Sequence, residues 1–190
     1  IVYTAERQTL NINGGKVKTR ALKAGNANSV VNLTNNGTLE LATWDNSNTI
    51  TQNYGYGTVK AYAYENSTGW TNPQSVTFTD SENGTTLDAN GLTIAFTGAI
   101  SGSGKVIAAS SEEGGTVNLS AATVTNFTGT YAVNGATLIL TLAQTANKTI
   151  AVEKGATLKV KLSALEARWD QTVTVTGGVP ISARPCNRQP

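Results

Sequence analysis

The side chains of this 190-residue chain that could do chemistry are its carboxylates, its tyrosines and tryptophans, and one thiol. Histidine and methionine are absent, so the commonest general base and metal ligand is missing. The acids include Asp45, Glu65, Asp80, Glu82, Asp88, Glu112, Glu113, Glu153, Glu166 and Asp170. Sugar cleavage would need two carboxylates facing one bond, or calcium-binding acids beside a base, on one face. These acids do not recur at a fixed spacing, and most stand beside Asn or Gly, as turn-capping acids do. Asp80-Ser81-Glu82-Asn83-Gly84 with Asp88 could hold calcium, but the spacing fits neither the EF-hand loop nor the glycine-rich nonapeptide repeat. An ordinary Asx turn accounts for it. No catalytic, cofactor-binding or metal-ligating residue is assigned, no cofactor is expected, and the chain reads as a non-enzyme.

Aromatic side chains offer binding chemistry instead. Trp44, Tyr54, Tyr56, Tyr62, Tyr64 and Trp70 crowd into one third of the chain. Such a surface suits a sugar or a protein partner; the competing reading is a packed cap sealing one end of the fold. Thr123-Val124-Thr125 and Thr172-Val173-Thr174-Val175-Thr176 resemble ice-binding threonine arrays, although the segments opening at Gly115, Gly135 and Gly155 lack Thr-x-Thr. Cys186 is the sole cysteine, which leaves a free thiol or an intermolecular bridge. Sequons stand at Asn32, Asn36, Asn66, Asn83, Asn118, Asn126 and Asn147 and matter only in a glycosylating secretory route.

Charge excludes some partners. Charged residues are 14% of the chain and the net charge is +2. A nucleic-acid site needs a clustered basic patch, whereas Lys16, Lys18, Arg20 and Lys23 alternate as on a solvated strand face. No apolar run approaches the ~20 residues of a membrane-spanning helix, so no membrane insertion by this segment is expected. The opening Ile1-Val2-Tyr3 suggests a processed or excised segment.

The elements that must position these residues are strands. Thr, Asn, Ser and Gly dominate the polar fraction, and they favour strands and tight turns. Gly135-Ala136-Thr137-Leu138-Ile139-Leu140 returns 20 residues later as Gly155-Ala156-Thr157-Leu158-Lys159-Val160. Gly115-Thr116-Val117-Asn118-Leu119 precedes it at the same offset. Gly91–Phe96 and Gly37–Leu41 fit less regularly. Ala136, Leu138, Leu140 and Leu142 share one face, as do Ala156, Leu158, Val160 and Leu162. Thr149–Val152 and Thr172–Val175 supply a second strand per repeat.

A fixed period of about 20 residues marks a solenoid, here about nine coils of a right-handed parallel β-helix. The alternative is a β-sandwich-like fibre subunit. Residues 1–80 form an irregular β region or cap, with Glu65–Pro73 a loop between strands at Thr58–Tyr64 and Ser75–Thr79. Residues 81–178 form the β-helical repeat, with helical character only at Ser163–Trp169. Residues 179–190 form a C-terminal tail. Ile1, Val2, Tyr3, Thr4 and Ala5 read as a strand that either adds to a neighbouring copy or caps its own first coil.

Val117-Asn118-Leu119, followed by Asn126-Phe127-Thr128-Gly129-Thr130-Tyr131-Ala132-Val133-Asn134-Gly135-Ala136-Thr137-Leu138, resembles the autotransporter-associated β-strand repeat. The resemblance covers about residues 91–162, with Gly-Ala-Thr-Leu where Gly-Thr-Leu is usual. It implies a right-handed β-helical passenger segment of a bacterial surface protein, often an adhesin, with no catalytic residues to transfer. The membrane barrel that ends such proteins has no counterpart here.

The expected function is a secreted or cell-surface structural or adhesive module, able to self-assemble into fibres. Its expected partners are copies of itself or a host or cell-surface glycan or protein. A carbohydrate-binding or carbohydrate-cleaving β-helix is the first alternative, and an ice-binding solenoid the second.

Overall fold

A computed structural model of the chain describes residues 2–4, 9–24, 29–44, 49–146, 148–161 and 174–176. Its strands begin with β1 (Val2–Thr4), β2 (Thr9–Asn13), β3 (Lys16–Ala24), β4 (Ser29–Thr34), β5 (Gly37–Trp44), β6 (Ile50–Tyr54) and β7 (Gly57–Ala61). They continue through β8 (Gly69–Asn72), β9 (Val76–Phe78), β10 (Thr85–Asp88), β11 (Thr93–Phe96), β12 (Ala99–Gly102), β13 (Lys105–Ala109) and β14 (Thr116–Asn118). The remainder are β15 (Thr123–Phe127), β16 (Thr130–Asn134), β17 (Thr137–Thr141), β18 (Thr149–Val152), β19 (Thr157–Lys161) and β20 (Thr174–Thr176). One short helix, α1 (Leu142–Thr145), follows β17.

Successive coils stack their strands into three parallel sheets. Sheet I holds nine strands in the order β1-β3-β5-β7-β10-β13-β16-β18-β20. Sheet II runs β2-β4-β6-β9-β12-β15, and sheet III runs β8-β11-β14-β17-β19. A full coil visits sheet I, then III, then II. Parallel pairing throughout makes this a β-solenoid and sets aside the sandwich alternative. The chain winds about seven turns rather than nine, because coil length mostly exceeds 20 residues. It ranges from 19 residues, between Tyr131 and its neighbour Ile150, to 28, between Gly57 and its neighbour Thr85.

The 20-residue repeat is a column of sheet III. Val117 lies beside Leu138, and Leu138 beside Leu158. Ile94 joins Val117 in the same register, so the Gly91 segment belongs to this series after all. The Gly37 segment does not: it lies in sheet I as β5. Gly135 and Gly155 take φ of 68° and 85°, left-handed values that glycine adopts without steric cost at the turn before each restart.

The N-terminal strands join the same parallel ladders, with β6 beside β9 and β7 beside β10. What sets this region apart is its two-sheet coil. Sheet III starts only at β8, inside the stretch expected to be a loop. That loop reading is corrected: Trp70 is buried and pairs with Ile94. Gly69 opens the strand at φ 134°, and a Cβ there would overlap the Thr93 backbone, so only glycine admits the pairing.

One continuous core runs along the axis. Two columns of aromatic rings stiffen it. Trp44, Trp70 and Phe96 meet edge to face at 5.9 Å, and Tyr54, Phe78, Phe127 and Tyr131 form a second column at 5.1–6.3 Å. Each such pair adds about 0.5–1.5 kcal/mol beyond burial. A polar knot sits among them, where Asn72 donates to Gln52 at 2.9 Å and the Tyr54 hydroxyl donates to Gln52 at 2.6 Å.

Sheet II ends where α1 begins. The strand face expected to run on to Leu142 stops at Thr141, because Thr141 and Gln144 form a capping box that starts a helix. Gln144 is buried and donates to the carbonyls of Leu119 and Ala122 at 2.8 and 3.0 Å. At the end of sheet III, Thr157, Lys159 and Lys161 are exposed on β19, a charged edge of the kind that discourages further pairing. β1 lies at the outer edge of sheet I, with Val2 beside Leu22 and Thr4 beside Ala24 of the same chain. Ile1 and Ala5, the expected helical stretch at 163–169 and the tail with Cys186 lie outside the described residues.

Candidate functional site

The six clustered aromatic residues divide between core and surface. Trp44, Tyr54 and Trp70 are core residues, exposed by 6%, 0% and 5%. As contact residues they are therefore corrected: their rings pack against other aromatic rings inside the core, as the packed-cap reading has it. Burial pushes the Tyr54 hydroxyl far above its ordinary range. Tyr56 and Tyr64 are exposed by 39% and 37%, and Tyr62 is half-buried. Tyr56 precedes β7 while Tyr62 and Tyr64 follow it, so the strand separates them. Only Tyr62 and Tyr64 share a surface.

That surface is organised by charge. On the outward side of sheet I, Lys18 lies beside Glu40, Glu40 beside Lys60, and Lys60 beside Asp88. Opposite charges thus alternate from coil to coil, which is the favourable cross-strand arrangement. Lys16 and Lys18 reach the Glu40 carboxylate at 2.6 and 3.6 Å, and Lys60 reaches Asp88 at 3.0 Å. Burial works to raise the Glu40 pKa, but the two lysines outweigh it and hold the carboxyl below its ordinary value. Asp88 is likewise held low: burial opposes ionisation, while the Ser111 backbone N–H and the Lys60 ammonium favour it more.

The cations continue onto the tyrosines. The Lys18 ammonium lies 4.4 Å from the Tyr62 ring centre, and the Arg20 guanidinium 4.5 Å from that of Tyr64. Between them the β5 position carries Ala42, whose small side chain leaves the surface low. The coil from β7 to β10 is the longest, and its extra residues stand out as the turn Tyr64–Ser67, closed by the Ser67 N–H to the Tyr64 carbonyl at 3.1 Å. A groove of about 360 Å³ results, lined by Arg20, Ala42, Thr43, Tyr64, Glu65 and Asn66, with Ser67 and Gly69 at its end. A second depression shares Thr43 and Gly69 with it and reaches Trp44 and Trp70. The indole N–H groups of both tryptophans are buried without a partner among the described residues.

No protein-family model, curated protein or solved structure matches this chain. The site must be read from its own residues.

The other sequence candidates fall elsewhere. Asp80 accepts from the backbone N–H groups of Glu82, Asn83 and Gly84 at 3.0, 2.8 and 3.2 Å; this is the Asx turn, and those bonds, Gly84 first, lower the Asp80 pKa. Glu65, Glu112, Glu113 and Glu153 are exposed in turns. Among the described residues no three His, Cys, Asp or Glu side chains gather as a metal site requires. Thr123 and Thr125 lie on β15, the last strand of sheet II. Asp45, Glu166, Asp170, Asn147, Thr172 and Val173 lie outside the described residues.

Sequence reasoning missed Lys18 and Arg20 as partners of the tyrosines. The signal was present, since Lys18, Glu40 and Lys60 recur at near-coil spacing with alternating sign.

Proposed function

We propose that this chain is a structural and adhesive module of the cell surface or extracellular space, which contacts a glycan through the groove beside Tyr64. The Arg20–Tyr64 stack at the groove carries this reading. It joins a flat aromatic platform to a fixed hydrogen-bond donor, beside Asn and Thr side chains able to pair with hydroxyls. The continuous apolar core and stacked aromatic columns support a stiff spacer role. The resemblance to the autotransporter-associated β-strand repeat supports the placement outside the cell. Each engaged acid of sheet I is committed to lysine, which supports binding rather than cleavage.

A panel of immobilised polysaccharides, combined with a reducing-end assay, tests this reading. Retention on at least one glycan without new reducing ends is expected, with retention reduced by Tyr64→Ala. New reducing ends, or no retention on any glycan, would overturn it.

Association of copies through the outer edge of β1 belongs to the same proposal, because that edge of sheet I is its terminal ladder. Deleting residues 1–5 should abolish any assembly seen by sedimentation while leaving the monomer folded. A destabilised monomer that never assembled would instead leave β1 a cap.

A further inference from the structure

We infer that the groove is selective for a carboxylated sugar, such as a uronic-acid unit of an acidic polysaccharide, with Arg20 as the carboxylate clamp. This rests on the glycan-contact reading of the groove and names its ligand class. The guanidinium lies over the Tyr64 ring at 4.5 Å from its centre, and a cation on a ring face keeps its N–H donors available at its edges. A planar fork of donors matches a carboxylate in two parallel hydrogen bonds. Arg20 spends none of these donors on a hydrogen bond or ion pair among the described residues. Its neighbours differ: Lys16 and Lys18 are committed to Glu40, and Lys60 to Asp88 and to the Ser111 hydroxyl. Among the described residues, Arg20 is therefore the one of these four cations that makes no ion pair, its partner being the Tyr64 ring.

The rest of the groove suits the rest of a sugar. The Thr43 hydroxyl, the Asn66 amide and the Glu65 carboxylate at its rim supply donors and acceptors for ring hydroxyls. The volume of about 360 Å³ lies at the small-molecule end of ligand sites, and a floor of Ala42 offers no apolar pocket for a peptide anchor.

Titration calorimetry of the intact protein with oligogalacturonate, and with an uncharged galactose oligomer of equal length, tests the inference. The acidic oligomer should bind about tenfold or more tightly than the neutral one, a difference expected of one charge-assisted bidentate contact, and added salt should narrow the gap. Arg20→Gln should remove the difference, Arg20→Lys should restore only part of it, and both variants should melt like the parent because Arg20 is exposed. Tyr64→Ala should weaken both oligomers. Equal affinity for the two oligomers would overturn the carboxylate inference while leaving the glycan reading standing. Equal binding of a sulfated galactose oligomer would overturn it too, as a general anion site. Binding of neither oligomer, on a protein retained by another glycan, would overturn the ligand class alone. Acidic binding that survives Arg20→Gln would place the site elsewhere.

Discussion

Sheets I and II are built on the same parallel backbone ladder, yet their outward faces solve the same problem with different chemistry. A parallel stack brings equivalent positions of successive coils side by side, so any charge meets its counterpart one strand away. Sheet I answers with alternation: Lys18, Glu40, Lys60 and Asp88 follow in register. Sheet II answers with neutrality. Asn53 donates to Asn32 at 2.9 Å and Asn32 to Asn11 at 2.8 Å, each across 21 residues of sequence. The column continues as Thr77 and Ser101, whose hydroxyls lie 3.0 Å apart. An amide ladder spends its donors and acceptors on itself. The charge ladder occupies one row of sheet I, and Arg20 stands off that row, two residues along β3 from Lys18, with no acid partner among the described residues.

The comparison predicts a shared interior behind unlike surfaces. Leu39 lies behind sheet I and Leu33 behind sheet II, both fully buried. Leu39→Ala and Leu33→Ala should each cost about 2–5 kcal/mol in denaturant unfolding. A negligible cost on one side would mean that only the other sheet has a core behind it.

Outward positions should cost less and differ in kind. Asp88→Ala removes the Lys60 ion pair and the acceptor of the Asn90 and Ser111 N–H groups, at 3.0 and 2.9 Å. A loss of about 1–3 kcal/mol is expected, with Asp88→Asn recovering part of it. Asn32→Ala interrupts the amide ladder at two bonds on a more exposed surface, and should cost about 1 kcal/mol.

Acid separates the faces further. Glu40 and Asp88 have folded pKa values below their ordinary ones. Their contribution is therefore complete above the unfolded values, at about pH 4, and is lost as pH falls through the folded values. Unfolding midpoints followed from neutral to acid pH should show this loss in the parent. Glu40→Gln with Asp88→Asn should flatten the profile, whereas Asn32→Ala should lower it without changing its slope. An unchanged slope in the double variant would contradict the charge-ladder account.

The column whose turn, alternation and spacing repeat together was legible in the sequence, and the columns without that combined motif were not. Gly135-Ala136-Thr137-Leu138 and its repeat carry turn, alternation and spacing together, so the Val117, Leu138 and Leu158 column was legible. The N-terminal coils are evenly spaced at 20–22 residues but lack the Gly-Ala-Thr-Leu motif, so the recurrence of Asn11, Asn32 and Asn53 carries no turn signal with it. Trp44, Tyr54 and Trp70 fit a contact surface and a packed interior alike in the sequence, because an aromatic side chain serves core and contact equally well, and only the phase of a short strand decides. β8 was masked by Gly69 and Pro73, which read as a turn but here bracket a strand. α1 was masked by Leu142, which continues the Leu138 and Leu140 alternation of β17 past the point where the Thr141–Gln144 cap takes over. The groove could not have been read directly, because Arg20 and Tyr64 meet only after the coils stack.

Hydrogen–deuterium exchange of the intact protein, with and without saturating oligogalacturonate, tests most directly whether sheet I carries the contact face and sheet II only holds register. The account predicts slowed exchange in peptides covering Arg20, Ala42–Thr43 and Tyr62–Gly69, with none at residues 9–13, 29–34 and 50–54. Protection on those sheet II segments, or none anywhere at saturation, would contradict it.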